Sequence, residues 1–516
     1  MPDQEPAIQK TSPDECPTKK FRNITLAVVF IFLLIKNILF VFSLPPWQGH
    51  DEPAHFSYTQ YLVEEKKLPN QSGAFEAKTL SYSYEYAASE VATDSTRLMN
   101  AHNKELRTIH QRFTEEFLPY GKLAQHYDNL PRHPLARSSA PPGLSDIYYR
   151  LPANDSYQNS AAVYPPLYYI VESIPYLIYY HDDIIIRQYA MRLFSSLLFL
   201  LGYWLCFVVA RRLTKNFFLS LTVMLTVGLL PVFSHLAAGI NNDALLFVLT
   251  TLSLYFLVRL IERFEMRPAV WLGLTFGLGL LTKPQFIVVP LLILIPAVYH
   301  VYYKKDIKIK TALAIIAVCA AITICISGWW YVWAVINDNG IIGSRTALAP
   351  ADQPHITAGL AASVYIQRWM YAFASFNFAF GFATEMILPL WFFISGTALW
   401  IVSAIGIILF VIVKRKKLTS DQCAIGAVFL ASVILLEIFF LYLFTHHLFR
   451  DGQARFPIDG RYYVPVLLPI CFGWIVGLTG LLPNTWKKYG YIFFILYGLT
   501  ANALALAVTI WPKLYL

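Results

Sequence analysis

The sequence predicts an all-α integral membrane protein of about 11–13 transmembrane helices, with a large first external loop that contains interfacial helices. Three observations predict it. Hydrophobic residues make up 56% of the 516 and charged residues only 14%, a balance outside that of soluble domains. Apolar runs about as long as a bilayer is thick recur along the chain. Between them lie basic clusters: Lys19, Lys20 and Arg22; Arg211, Arg212 and Lys215; Lys304, Lys305, Lys308 and Lys310; Lys414 to Lys417; and Lys487-Lys488. Basic residues in short loops mark the cytoplasmic side. The net charge of +9 therefore reports topology and implies no nucleic-acid partner.

In chain order, residues 1–22 form a polar cytoplasmic tail and 23–44 the first transmembrane helix. No small-residue cleavage pattern follows that helix, so it reads as a retained anchor. Residues 45–163 form the large external loop, rich in His, Tyr and Asn. Within it, 53–67 reads as a helix: Asp51 or Glu52 can cap it, Pro53 suits its first turn, and Lys66-Lys67 suit its end. A second helix is expected over 94–117. Residues 164–335 form an N-terminal helical membrane core, with apolar stretches at 193–210, 217–238, 244–260, 270–281, 286–301 and 311–335. The stretch at 270–281 is short for a crossing. Segment 164–180 strains the count, because as a crossing it puts Arg211-Arg212 on the wrong side. Either it is re-entrant or interfacial, or a neighbouring short stretch fails to span. Residues 336–386 form a second external or interfacial segment, where Gln367-Arg368-Trp369 lies in an aromatic run of the kind favoured at membrane surfaces. Residues 387–516 supply the C-terminal spans, at 387–413, 424–444, 463–481 and 491–510. The six cysteines form no CxxC pair, which gives no support to a disulfide framework or a thiolate zinc site.

The residues that could carry chemistry gather at the external ends of these spans. Gly49-His50-Asp51-Glu52-Pro53-Ala54-His55 sits just beyond the first span. Glycosyl transfer onto a hydroxyl needs a carboxylate to take the proton and cations or dipoles to stabilise the departing phosphate. Asp51 is the candidate base, with Glu52 orienting it or binding the acceptor; the plainer reading is a helix cap and a solvated acid. His55, one turn on, could share a proton or a metal, and Tyr58 completes the substrate-binding candidates on this helix. Tyr164-Pro165-Pro166-Leu167-Tyr168-Tyr169 reads as a proline-preset helix start with tyrosines at headgroup level; Tyr164 is its substrate-binding candidate. Asn242-Asp243 heads an apolar segment as a cap or a binding pair. Lys283 either snorkels or holds a phosphate. The loop 446–462 carries Arg450, Arg455 and Arg461 on the outer side, against the positive-inside bias. Arg455 and Arg461, with Tyr462, are candidates to grip a phosphate through the planar guanidinium fork; pairing with Asp451 and Asp459 is the alternative. His446-His447 lacks a clear third metal ligand.

In this order the segments resemble the GT-C superfamily of multi-spanning glycosyltransferases, which includes protein O-mannosyltransferases and lipid A aminoarabinose transferases. Within it they look most like a bacterial family of predicted membrane proteins of unassigned function. The matching pieces are Asp51-Glu52-Pro53-Ala54-His55-Phe56, Tyr164 to Tyr169, Asn242-Asp243-Ala244, Leu281-Thr282-Lys283 and Gly460-Arg461-Tyr462. The resemblance implies a GT-C-like core and a catalytic acid in the first external loop, falling on Asp51. It also implies a polyprenyl-phosphate-linked sugar donor and an envelope glycan, lipid or protein acceptor. The expected activity is inverting sugar transfer at the outer face of the inner (plasma) membrane, among membrane lipids. Tyr164 stands where relatives commonly have His, and the first loop is longer than in the simplest relatives. No cofactor is certain; metal dependence varies across the superfamily, so a divalent metal stays open. The alternatives are a transporter or flippase, whose mid-membrane charges are scarce here, Glu437 being the clearest, and a polysaccharide polymerase or ligase.

Overall fold

The computed structural model describes residues 18–44, 46, 49–64, 66–69, 161–337, 358–377, 379–380, 386–414, 416, 418–451, 459–480 and 482–511. Arg455 and the helix expected over 94–117 lie outside the described residues.

Helix α1 (Lys19–Ser43) starts at Thr18, whose hydroxyl accepts from the Phe21 amide at 3.2 Å. Its 25 residues are enough to cross a hydrocarbon layer of about 30 Å. Leu33, Lys36, Asn37, Phe40 and Val41 are buried, at the three- and four-residue spacing of one helix face. Val28, Ile31, Ile35, Leu39 and Phe42 are exposed, an apolar stripe suited to lipid tails.

Helix α2 (Glu52–Glu64) ends before the expected Lys67, where Lys66 takes a left-handed φ of 54°. Helix α3 (Leu167–Ile178) has 12 residues, about 18 Å, too short to span. It packs on α2 and on α4 (Ile184–Thr214). Segment 164–180 therefore holds a short packed helix, below the length of a crossing. Helix α4 starts well before the expected 193, capped by the Asp183 carboxylate, which accepts from Ile185 N at 2.8 Å. That early start brings Arg187 and Arg192 into the helix.

The run 217–238 is not one span. It breaks into α5 (Phe217–Gly228) and α6 (Pro231–Leu236), because Pro231 cannot continue the ladder. The break orphans the last carbonyls of α5, and side chains answer them. Lys36 Nζ donates to the Gly228 carbonyl at 2.8 Å and to Ser234 Oγ at 2.9 Å. Asn502 Nδ2 donates to the Leu229 carbonyl at 2.5 Å. Lys36, a lysine inside a span, is thus a brace for a broken helix.

Helices α7 (Asp243–Glu262) and α8 (Met266–Leu280) follow. Next comes a composite helix, α9 (Pro284–Lys304), built of 3-10, α and π turns. Pro284, Pro290 and Pro296 each remove a donor, so a regular α-ladder cannot run through it. The remaining helices are α10 (Ile309–Ile336), α11 (Ala358–Asn377), α12 (Leu390–Lys414), α13 (Ser420–Asp451), α14 (Gly460–Thr479) and α15 (Asn484–Leu504). Among the described residues nine helices are long and apolar enough to cross a membrane, and α3 and α5 are shorter apolar ones. Among the described residues the extended ones form one antiparallel pair, Ala379–Phe380 with Met386–Ile387.

The core sits where α7 packs on α4 and α8, and α4 on α5. Backbones touch at Gly406, where a Cβ would lie 2.0 Å from the Gly477 carbonyl and so prise α12 from α14. This packing brings five distant stretches to one place: the turn before α2, the start of α3, the head of α7, the α8–α9 junction and the start of α14.

Candidate active site

The turn Gly49–Glu52 is held from behind. Glu52 is fully buried and faces Arg192, also fully buried. Oε1 accepts from Arg192 Nε at 2.7 Å and from the Ile240 amide at 3.3 Å. Oε2 accepts from Arg192 Nη2 at 2.7 Å and from the Gly49 amide at 3.0 Å. Four donors thus fill the lone-pair sites of one carboxylate. Arg192 Nη1 reaches on to the Leu44 carbonyl at 2.8 Å, tying the end of α1 to the same point. Gly239 closes the turn from the other side, since a Cβ there would lie 3.1 Å from Gly49 Cα.

Asp51 faces the opposite way. Its φ of 52° is left-handed, a region that Asp tolerates better than most residues. Its carbonyl accepts from the His55 amide at 3.1 Å. Its Oδ2 accepts from Arg461 Nη2 at 2.8 Å, with side-chain exposures of 24% and 11%. This contact joins residues 410 positions apart. Arg461 is itself placed by its neighbours. The Gly460 amide donates to Ser375 Oγ of α11 at 2.7 Å, and the Asp459 carboxylate accepts from the Arg461 amide at 3.3 Å. Only glycine fits at 460, because a Cβ would lie 2.2 Å from Phe376 N.

The second ion pair is Lys283 Nζ to Asp243 Oδ1, 2.6 Å, almost wholly buried. Burial holds the Lys283 ammonium below its usual range, and Arg461 adds to this, while Asp243 and Asp51 oppose it. Lys283 Nζ lies 5.3 Å from the centre of the Tyr462 ring and 5.8 Å from that of Tyr164; the Arg461 guanidinium lies 5.1 Å from Tyr462. The two cations therefore share one aromatic ring. Tyr164 is brought here because the Leu167 amide donates to the Leu281 carbonyl at 3.0 Å.

His55 is buried in an aromatic cluster. Its Nδ1 lies 2.9 Å from Tyr169 Oη, and its ring stacks on Tyr164 and Tyr169. Burial pushes its pKa down to about 3, outweighing the nearby Asp51 carboxylate. A neutral imidazole at pH 7 follows. Tyr58 stacks on Tyr169 at 3.6 Å, and its hydroxyl donates to the Tyr164 carbonyl at 3.1 Å; burial pushes that phenol well up. Asn242 is buried beside Asp243.

Asp51, His55, Tyr58, Tyr164, Asp243, Lys283, Arg461 and Tyr462 thus meet at one place, with Glu52 behind them, and Asn242 is buried next to Asp243 in the chain. Sequence reasoning missed Arg192 and His235. Each is an ionisable residue in or beside an apolar run, a signal of function or pairing in its own right. His235 is buried, with its ring 5.2 Å from that of His50. Among the described residues no three His, Cys, Asp or Glu side chains group to hold a metal ion.

The family described as "Predicted membrane protein (DUF2142)" matches residues 33–470. The chain belongs to that family. In this DUF2142 protein the matched stretch takes in every residue of the site just described. Among solved structures it is similar to apo ArnT from Cupriavidus metallidurans, at 15% identity over 68% of this chain and 67% of that one, TM-score 0.36. A structure of the same ArnT bound to undecaprenyl phosphate matches at 15% identity over 68% of this chain and 63% of that one, TM-score 0.36. The oligosaccharyltransferase of Archaeoglobus fulgidus matches at 12% identity over 96% of this chain and 55% of that one, TM-score 0.45. The DUF2142 chain thus spans about half of the archaeal enzyme's length. No curated protein matches.

Proposed function

We propose that this protein is a membrane glycosyltransferase that moves a sugar from a polyprenyl-phosphate donor to a hydroxyl of an envelope glycan, lipid or protein. The work is done at the outer face of the inner membrane. The observation that carries the reading is the 2.8 Å contact between Asp51 and Arg461, beside Lys283 and under the rings of Tyr462 and Tyr164. A carboxylate able to take a proton lies beside cations able to hold a phosphate, and that juxtaposition supports the reading.

In the proposed step, Asp51 accepts the proton of the acceptor hydroxyl. The acceptor oxygen forms a bond to the anomeric carbon as the bond from that carbon to the phosphate oxygen breaks. The electron pair of the broken bond leaves with the polyprenyl phosphate, whose charge goes from one to two negatives. Arg461 and Lys283 stabilise that growing charge. Displacement from the opposite face inverts the anomeric carbon. Glu52 and Arg192 act as positioning residues for the Asp51 turn.

Mass spectrometry of lipid extracts tests this, comparing cells with wild-type protein and with Asp51→Asn at equal membrane abundance. One polyprenyl-phosphate sugar accumulates in the variant, and that sugar disappears from an envelope component. Unchanged lipid-linked sugars with a redistribution of lipid between leaflets would replace the assignment with a flippase.

A further inference from the structure

The two groups that the proposed chemistry needs most, the base and the phosphate anchor, are bound to each other. A carboxylate held by a guanidinium is a poor base, because the cation favours its charged form. A guanidinium held by a carboxylate has given part of its donor fork away. Neither can serve fully until the pair opens.

We infer that the Asp51–Arg461 pair is a latch that the donor's phosphate opens, so that Asp51 gains its basicity only when a lipid phosphate has taken Arg461. This rests on the glycosyltransferase reading and concerns the order of events at the same site.

Three features of the geometry support an exchange of partners over a permanent strut. First, the pair is half open. Asp51 is 24% and Arg461 11% exposed, whereas the Glu52–Arg192 pair behind it has no exposure at all. The buried pair is the strut, and the outer pair is within reach of a ligand. Second, Arg461 has a standing second carboxylate, Asp459, at 3.8 Å. It can leave Asp51 without becoming an uncompensated charge. Third, the main-chain anchors of both residues do not depend on the pair. The Asp51 turn is held through Glu52, and Arg461 through its own amide and through Gly460 on Ser375. The side chains can separate while the backbones stay.

Charge sets the direction of the exchange. A donor phosphodiester carries one negative charge, as Asp51 does, and its two non-bridging oxygens can bridge Arg461 and Lys283, the two cations that share the Tyr462 ring. As the sugar leaves, the phosphate gains a second charge, and Arg461 is drawn further from Asp51. This happens while Asp51 is accepting the proton. The latch so couples leaving-group departure to base strength.

The latch makes a prediction opposite to the usual effect of deleting a site residue. Removing Asp51 removes the competitor for Arg461, so binding of a lipid phosphate tightens. The experiment titrates a long-chain polyprenyl monophosphate into purified full-length protein in detergent, read by native mass spectrometry. Four forms are compared: wild type, Asp51→Asn, Arg461→Gln and the double variant. Asn suits the left-handed backbone at 51 as well as Asp does, and an unfolding profile of each form checks its integrity. Asp51→Asn is expected to bind about tenfold tighter than wild type, about 1.4 kcal/mol. In the Arg461→Gln background the same change is expected to have no more than a twofold effect. Equal tightening in both backgrounds would mean simple repulsion by the Asp51 charge and overturns the latch. Unchanged or weaker binding by Asp51→Asn, with wild type binding well, also overturns it and leaves the glycosyltransferase reading standing. If all four folded forms fail to bind the lipid phosphate, the functional reading itself fails, and the latch with it.

Discussion

Replacing Glu52 with glutamine keeps the shape of the side chain and changes its charge and its hydrogen-bonding pattern. In the structure each carboxylate oxygen accepts one bond from Arg192 at 2.7 Å and one from a backbone amide, Ile240 or Gly49. Glutamine can present only one oxygen. Its amide nitrogen must face an Arg192 N–H and a backbone N–H, two donors against a donor. The variant loses one charge-assisted bond and one backbone bond, and it leaves the Arg192 charge buried without its counter-charge. Breaking a buried pair in this way costs about 3–5 kcal/mol. The assay is denaturant unfolding of the detergent-solubilised protein, with sugar transfer measured in parallel. Stability and transfer are expected to fall together, because the Asp51 turn hangs on this carboxylate. A double variant, Glu52→Leu with Arg192→Met, removes both charges and should recover at least half of the lost stability. A Glu52→Gln protein that unfolds within about 0.5 kcal/mol of wild type would refute the reasoning. If that stable protein were also inactive, Glu52 would act in the chemistry directly.

Three further outcomes follow from the same geometry. Gly460→Ala forces a Cβ to within 2.2 Å of Phe376 N, a backbone atom that cannot step aside; transfer should fall at least tenfold while the protein still inserts in membranes, and near-normal turnover would show that docking on α11 does not place Arg461. Buried His55 refuses a proton until about pH 3, whereas an unfolded imidazole takes one near pH 6.5. Between those values the unfolded state binds more protons, so stability falls as the pH drops across the window. Unfolding midpoints of wild type and His55→Gln, compared at about pH 7.5 and pH 5, should show the smaller loss in the variant. For the buried Lys283–Asp243 pair, a double-mutant cycle with Lys283→Gln and Asp243→Asn should give a coupling of about 2 kcal/mol; additive singles would mean that the 2.6 Å contact contributes nothing to stability.

Hydropathy is a property of each residue, and so the sequence alone determined the membrane class, the first apolar helix and the approximate place of the long spans. The short motifs around Asp51, Tyr164, Asp243, Lys283 and Arg461 were legible too, since charged and aromatic residues at the ends of apolar runs stand out without any knowledge of packing. What could not be read there is who meets whom. Arg461 reaches Asp51 across 410 positions, and Arg192 reaches Glu52 across 140. A side chain's partner is fixed by which helix ends pack together, and no local spacing encodes that. The same holds for roles within one dipeptide. Asp51 and Glu52 are adjacent acids in the sequence, but a single left-handed residue at φ 52° sends their side chains to opposite places. One goes to a buried arginine that fixes the turn, the other to a partly exposed arginine at the site. Sequence narrowed the candidates to a pair of carboxylates; backbone geometry and burial, which depend on the whole packed bundle, set one in a fully buried ion pair and the other in a partly exposed one.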